Sequence, residues 1–292
     1  MVPIPNISRK TRNRVIFGLL LGTLTVLGWA LIPRLATQLS GENTLLVRFY
    51  DVGQGDAILI QKGVTQILID GGPNEEVLTY LGRDLLPWDR KIELLVLTHP
   101  HADHLTGLLA VLERYQVERV LYYPSVYDTR GYEKFLEKVK NEGAQVLQAV
   151  RGGRLRVGEI SLQILWPTAN YRDENVNNES VALLMGYGDF ETLLLGDAEL
   201  GVQFKMAFIN TDVEVIKMAH HGSKNGAYES LLRTASPELA VISVGAKNSY
   251  GHPHSSTLNL LRRLGIPFLR TDLSGTVTVR SDGRNFWYST RR

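Results

Sequence analysis

The chain has 292 residues, 44% of them hydrophobic, enough to bury a sizeable core as one large domain or two small ones. It has no cysteine, which excludes disulfides, thiolate metal sites and cysteine nucleophiles; any metal must be held by His, Asp, Glu or neutral oxygens. The formal net charge is +2, but Arg9, Lys10, Arg12, Arg14 and Arg34 face no acid within residues 1–41, leaving 27 Lys and Arg against 30 Asp and Glu elsewhere. That remainder, at about −3, excludes a nucleic-acid footprint spread over the whole domain.

Residues 1–14 form a basic segment. Residues 15–32, VIFGLLLGTLTVLGWALI, hold no charge over eighteen positions, the short end of a membrane-spanning helix. The cations before this run, and the poor small-residue cleavage site after it (Pro33, Arg34, Leu35), predict a single uncleaved transmembrane signal anchor. Its N-terminus faces the cytoplasm and the following domain is extracytoplasmic. Residues 33–43 read as a linker and 44–292 as the folded domain.

Within that domain, TLLVRFY (44–50), AILIQ (57–61) and TQILID (65–70) are short β-rich runs joined by Gly-containing turns, predicting antiparallel strands. IELLVLT (92–98) is apolar throughout, as in a strand buried on both faces. Leu105, Leu108, Leu109 and Leu112 then mark a helix over 105–116. Further strands are predicted at 118–123, 160–167, 180–188, 191–197, 212–218, 238–245, 266–271 and 275–280. Helices are predicted at 130–141, 199–208, 227–235 and 256–264. Opening hairpins favour two sheets with helices outside over a TIM barrel.

The stretch LVLTHPHADHLTG (95–107) concentrates His99, His101, Asp103 and His104 in six residues, directly after an apolar strand. In a tight loop opening into a helix these imidazoles and this carboxylate converge as metal ligands. Asp197 ends LLLGD, where an unpaired carboxylate at a buried strand tip would be expensive. His220 and His221 end VIKMAHHGS in the same way, and Asp70 ends ILIDGG, placed to accept from a ligand imidazole. Lys224, Asn248, Tyr250 and His252 lie in Gly-containing loops and are candidates to hold a phosphate.

THPHADH resembles the HxHxDH signature of the metallo-β-lactamase fold. FYDVGQGDAILI, LIDGG, NNESVALL, LLLGDAE, KMAHHGSK and VISVGAKNSYGHP follow in the order found in the C-terminal metallo-hydrolase domain of ComEC-type DNA-uptake proteins and their stand-alone relatives. The resemblance covers roughly residues 44–282. It implies an α/β fold of αββα layers and a hydrolase site holding one or two divalent ions, Zn²⁺ or Mn²⁺. His99 and His101 would bind the first ion, Asp103 and His104 the second, and Asp197 would bridge them. His220 would complete the second site, and His221 would contact substrate. Asp103, His221 and His252 would be the residues closest to the chemistry. Many members carry a further histidine between the loop and the bridging Asp. This chain has none between His104 and His220. Asn178 stands there instead, flanked by Asn177 and Ser180, and an amide oxygen would move preference from zinc towards manganese.

The expected function is membrane-anchored hydrolysis of phosphodiesters, with single-stranded DNA as substrate and a separate channel-forming competence protein as partner. Two alternatives stand beside it. One is hydrolysis of a cell-wall or lipid phosphoester such as phosphorylcholine. The other is a non-catalytic DNA-binding module of an uptake system.

Overall fold

The computed structural model describes residues 15–20, 22–23, 25, 44–206 and 212–292. Val15–Leu20 are helical with exposed side chains. Among the described residues no helix is long and apolar enough to cross a membrane. The basic segment 1–14, the linker 33–43 and the remainder of the 15–32 run lie outside the described residues.

Two sheets face each other. The first has eight strands in the order β17-β16-β1-β2-β3-β5-β7-β8: Phe286–Arg291, Thr276–Ser281, Leu45–Phe49, Ile58–Lys62, Thr65–Ile69, Leu94–Leu97, Arg119–Tyr122 and Gln145–Gln148. The second runs β15-β14-β13-β12-β11-β10-β9: Phe268–Arg270, Leu239–Ile242, Val215–Lys217, Phe190–Leu194, Ala182–Tyr187, Ile160–Trp166 and Arg154–Val157. Lys91–Ile92 (β4) and Gln116–Val117 (β6) pair separately. Strand alternation explains the layers. Leu45, Val47, Phe49, Ile58, Ile60, Ile67 and Val96 pack between the sheets against Leu162, Ile164, Leu183, Met185 and Val241. Their neighbours Leu59, Leu68 and Leu95 turn outward against helices α1 (Glu76–Asp84), α2 (Ala102–Arg114) and α3 (Arg130–Glu142). On the far side Leu193, Ile216 and Ala240 meet α4 (Leu200–Met206), α5 (Glu229–Ala235) and α6 (Ser255–Arg263); the short α7 is Thr271–Ser274. The result is an αββα sandwich.

The opening hairpins β1–β2–β3 are antiparallel as expected, whereas β3, β5, β7 and β8 are parallel, as are β12 to β15. Parallel strands end at the same edge, and that edge carries the site. Among the elements that escape the sequence pattern are α1, β8, β9 and the edge strand β17. Helix α2 starts at Ala102 rather than 105, because His101 is still extended (φ −65°, ψ 149°) and hands over directly to the helix. Asp103 and His104 therefore sit in its first turn.

Candidate metal centre

Three glycine contacts fix the HxHxDH turn. A Cβ at Gly107 would lie 1.9 Å from the Gly71 carbonyl oxygen, one at Gly71 would lie 2.4 Å from the Leu108 nitrogen, and one at Gly55 would lie 2.2 Å from the Asp103 oxygen. The backbones can approach only because those positions lack a side chain. Across the gap Gly71 N donates to His104 O (2.7 Å) and Gly107 N to Gly72 O (3.1 Å). Helix α2 is thus clamped to the end of β3, where Asp70 emerges in the left-handed region (φ 57°).

Four imidazoles are held by Nδ1 and turned inward by Nε2. His104 Nδ1 meets Asp70 Oδ2 at 2.8 Å, His99 Nδ1 meets Thr98 Oγ1 at 3.1 Å, His221 Nδ1 meets the Ser243 carbonyl at 3.0 Å, and His220 Nδ1 meets Glu199 Oε1 at 3.0 Å. Such partners fix ring orientation and leave the other nitrogen to a metal. A single oxygen, Asp197 Oδ2, lies 3.9, 3.3, 3.9 and 3.5 Å from Nε2 of His99, His104, His220 and His221. Asp103 Oδ2 is 3.2 Å from His221 Nε2 and 3.8 Å from His104 Nε2. His101 Nδ1 faces His99 Nε2 at 3.0 Å.

The donor set fits divalent ions. Ligand atoms of His99, His104 and Asp197, and those of Asp103, His104 and His221, lie within 4.8 Å of one another. His104 Nε2 and Asp197 Oδ1 are buried with no hydrogen-bond partner, an arrangement a cation relieves. Burial works to lower the His221 pKa, but Asp197, Asp103 and Asp56 outweigh it and lift it to about 9. Burial, reinforced by His104, drives that of His99 well down. Neighbouring imidazoles split in this way because three carboxylates crowd His221, whereas burial and a charged imidazole dominate at His99.

Three residues lie elsewhere than the sequence suggests. His221, not His220, is the deeper ring: it is 1% exposed and shares the Asp103–His104 cluster, whereas the His220 side chain is 23% exposed at the mouth. Both residues are left-handed (φ 51° and 48°), a strained turn just past the end of β13. Asn178 does not face the ligands: its Oδ1 accepts from Glu199 N (3.3 Å) and its Nδ2 donates to Asp173 (3.2 Å). Asn177 Oδ1, one position earlier, is buried without a partner. Asn248 closes its own loop, donating to the Gly245 and His252 carbonyls (2.9 and 2.7 Å) and accepting from His252 N (2.9 Å).

A cleft of about 300 Å³ opens over the cluster, lined by Gln54, His101, Asp103, Asp197, His220, His221, Tyr250 and His252 among others. Tyr250 is 70% exposed and stacks on His252 (5.7 Å, 23°). Burial, with His220 and His221 beside it, lowers the His252 pKa to about 4. Lys224 is exposed and lies off the cleft wall. Ser180 Oγ accepts from Asp197 N (3.1 Å), holding the bridging carboxylate's backbone. Sequence reasoning missed Asp56, Lys217, Glu199 and Gln54. The available signal was a lysine inside the apolar strand VIKM.

Residues 50–246 match the metallo-beta-lactamase superfamily. The chain belongs to that superfamily. It is 31% identical over 260 residues to ComE operon protein 3 of Bacillus subtilis, covering 82% of this chain and 33% of that protein. It is 32% identical over 275 residues to Recombination protein 2 of Haemophilus influenzae, covering 91% and 32%. The chain thus spans about a third of the length of these curated relatives. Among solved structures, the metallo-beta-lactamase fold protein YhfI from Bacillus subtilis aligns with a TM-score of 0.56 at 11% identity, over 84% of this chain and all of that one. The CmlA beta-hydroxylase E377D mutant aligns equally well, 0.56 at 16% identity, over 81% and 54%. These likenesses establish the superfamily's sandwich, for which the fold family implies divalent metal ions.

Proposed function

We propose that this chain is a metal-dependent phosphodiesterase acting on single-stranded DNA, held at the outer face of a membrane by the apolar run 15–32. The observation that carries the hydrolase reading is the convergence of four imidazole Nε2 atoms on Asp197 Oδ2, with Asp103 alongside. His99 and His101 would hold one ion, Asp103, His104 and His221 the other, with Asp197 between them; Asn177 is the neutral oxygen available to the first. Bound there, zinc or manganese supplies a Lewis acid and an acidified water. The protein's own part is to orient and to exclude. Asp70, Thr98 and Ser243 lock the ring tautomers. His220, tied to Glu199, walls the mouth. His252, neutral at pH 7, offers a ring nitrogen to a proton at the cleft wall. Tyr250 presents an aromatic face on the lip, suited to a base flanking the scissile phosphate.

The choice of DNA rests on the likeness to proteins named for competence and recombination. With the domain near −3 overall, affinity should reside in the metal centre and local cations and weaken steeply with salt. The test is a panel of bis-p-nitrophenyl phosphate, single- and double-stranded DNA, RNA and phosphorylcholine esters, offered to the metal-stripped chain reloaded with Zn²⁺ or Mn²⁺. Turnover of phosphodiesters that Asp197→Asn abolishes is expected. Failure to cleave any phosphodiester with either metal would refute the reading; cleavage of phosphorylcholine esters alone would move the substrate to the envelope.

A further inference from the structure

Resting on the metal-centre reading above, we propose that the buried Lys217–Asp56 ion pair sets the charge of the centre: the Lys217 ammonium neutralises a carboxylate that stands directly behind the ligand rings, and so limits the negative charge the ions meet. Lys217 stands where the fold calls for an apolar residue. On β13 it shares the inward side with Val215, while Ile216 packs outward, and its strand partners Leu194 and Val241 belong to the core between the sheets. It is 1% exposed. Its ammonium crosses from the second sheet to donate to Asp56 Oδ2, in the loop that follows β1 of the first. Lys217 is the only Lys or Arg, among the described residues, that pairs with a carboxylate of this cluster.

Asp56 stands behind the ligand rings, on their Nδ1 side. Its oxygens lie 3.5 Å from His221 Nδ1 and 3.9 Å from His104 Nδ1, and Oδ1 has no hydrogen-bond partner. With Asp197 and His221 on one side, and with Asp70 and His104 on the other, it forms two more groups whose ligand atoms fall within 4.8 Å. Four carboxylates, Asp56, Asp70, Asp103 and Asp197, therefore surround the imidazoles, and the protein itself neutralises one of them. A buried ion pair is seldom more stabilising than well-packed apolar side chains of the same volume. Its presence at a core position of the strand leading to His220 and His221 is better explained by what it does to the neighbouring ions.

The inference orders metal affinity by charge. In the full chain, with folding checked by thermal unfolding in chelator, Zn²⁺ affinity is measured by competition with a chromophoric chelator. Lys217→Met leaves that carboxylate uncompensated and should tighten binding about tenfold. Asp56→Asn should weaken binding by about 10–100-fold, the usual effect of losing a group behind the ligands. The double variant removes both charges and should return to within about threefold of the wild type, because long-range attraction follows net charge. Unchanged affinity in folded single variants, or loss in both of them, would reduce the pair to packing. Should a single variant fail to fold, the double one decides: near-normal affinity supports the inference, and a loss of tenfold or more overturns it. A wild-type chain that binds no divalent ion would remove the metal-centre reading itself, a failure distinct from the others.

Discussion

Gly107→Ala tests whether the backbone clamp under helix α2 positions the metal ligands. The new Cβ would sit 1.9 Å from the Gly71 oxygen and 2.7 Å from the Asn74 oxygen. The helix or the β3 loop must retreat by about 1 Å before the contact is tolerable, and overpacking of this kind costs roughly 1–3 kcal/mol. The better helix propensity of alanine returns about 1 kcal/mol, so the net loss should be modest, at most about 2 kcal/mol, a fall in Tm of up to roughly 8 °C for a chain of this size. The local effect should be larger. The retreat strains the Gly71 N–His104 O bond, and misplacing reactive groups by about 1 Å can cost on the order of 100-fold. Thermal unfolding in chelator reads the first effect, and zinc affinity with bis-p-nitrophenyl phosphate turnover the second. Gly82→Ala on α1, where a Cβ meets nothing within 4 Å, is the control and should stabilise by about 0.5–1 kcal/mol. A Gly107→Ala protein with wild-type Tm, metal affinity and turnover would show that the close approach does not hold the site.

Three further outcomes follow from the geometry. His221→Ala should remove about one metal equivalent by elemental analysis, while His220→Ala retains most of it; the reverse result would restore the order expected from sequence. Asn177→Ala should lower zinc and manganese affinity several-fold with little change in Tm, whereas Asn178→Ala should lower Tm by loosening the turn it ties to Glu199 and Asp173; equal effects on metal would dismiss Asn177 as the neutral donor. Asp84 accepts from Arg83 (2.8 and 3.0 Å) and Tyr50 (3.0 Å), and although burial opposes ionisation, Arg83 and Arg48 hold its carboxyl below the usual range. A depressed folded-state pKa gives stability present above about pH 4 and lost as pH falls through the folded value. Asp84→Asn should cost about 1–3 kcal/mol at pH 7 and flatten the acid limb of the Tm–pH curve; an unaltered acid limb would count against it.

The ligand-rich turn was legible because HxHxDH packs its donors into six residues, and Asp70 and Asp197 because a carboxylate ending an apolar strand has few other uses. The layers followed from strands apolar on both faces. What stayed hidden depends on dihedrals or on distance. The order of His220 and His221 is set by two left-handed residues that no periodicity announces, and the choice between Asn177 and Asn178 by a single turn of 3₁₀ helix. Asp56 and Lys217 are 161 positions apart, so neither pointed to the other. Helix α1 has nine residues interrupted by Gly82, and β17 is an exposed edge strand with little apolar alternation.

The donors that meet at the sandwich edge come from β3, β5 and α2 of one sheet layer and from the ends of β12 and β13 of the other. Neither half of the polypeptide holds a complete set: a growing chain that stops before Asp197 lacks the carboxylate on which the imidazoles converge, and one that stops before His221 lacks a ligand of the second group. Metal capture is then a late event, coupled to the docking of the sheets rather than to the formation of either one. Under the export proposed above, the consequence is chemical: the chain would arrive empty and load from the compartment in which folding finishes. At such nitrogen–oxygen sites the ion that loads is set by metal availability as well as by ligand type and geometry. The ion found in the purified protein will therefore report where the last strands came together as much as what the ligands prefer.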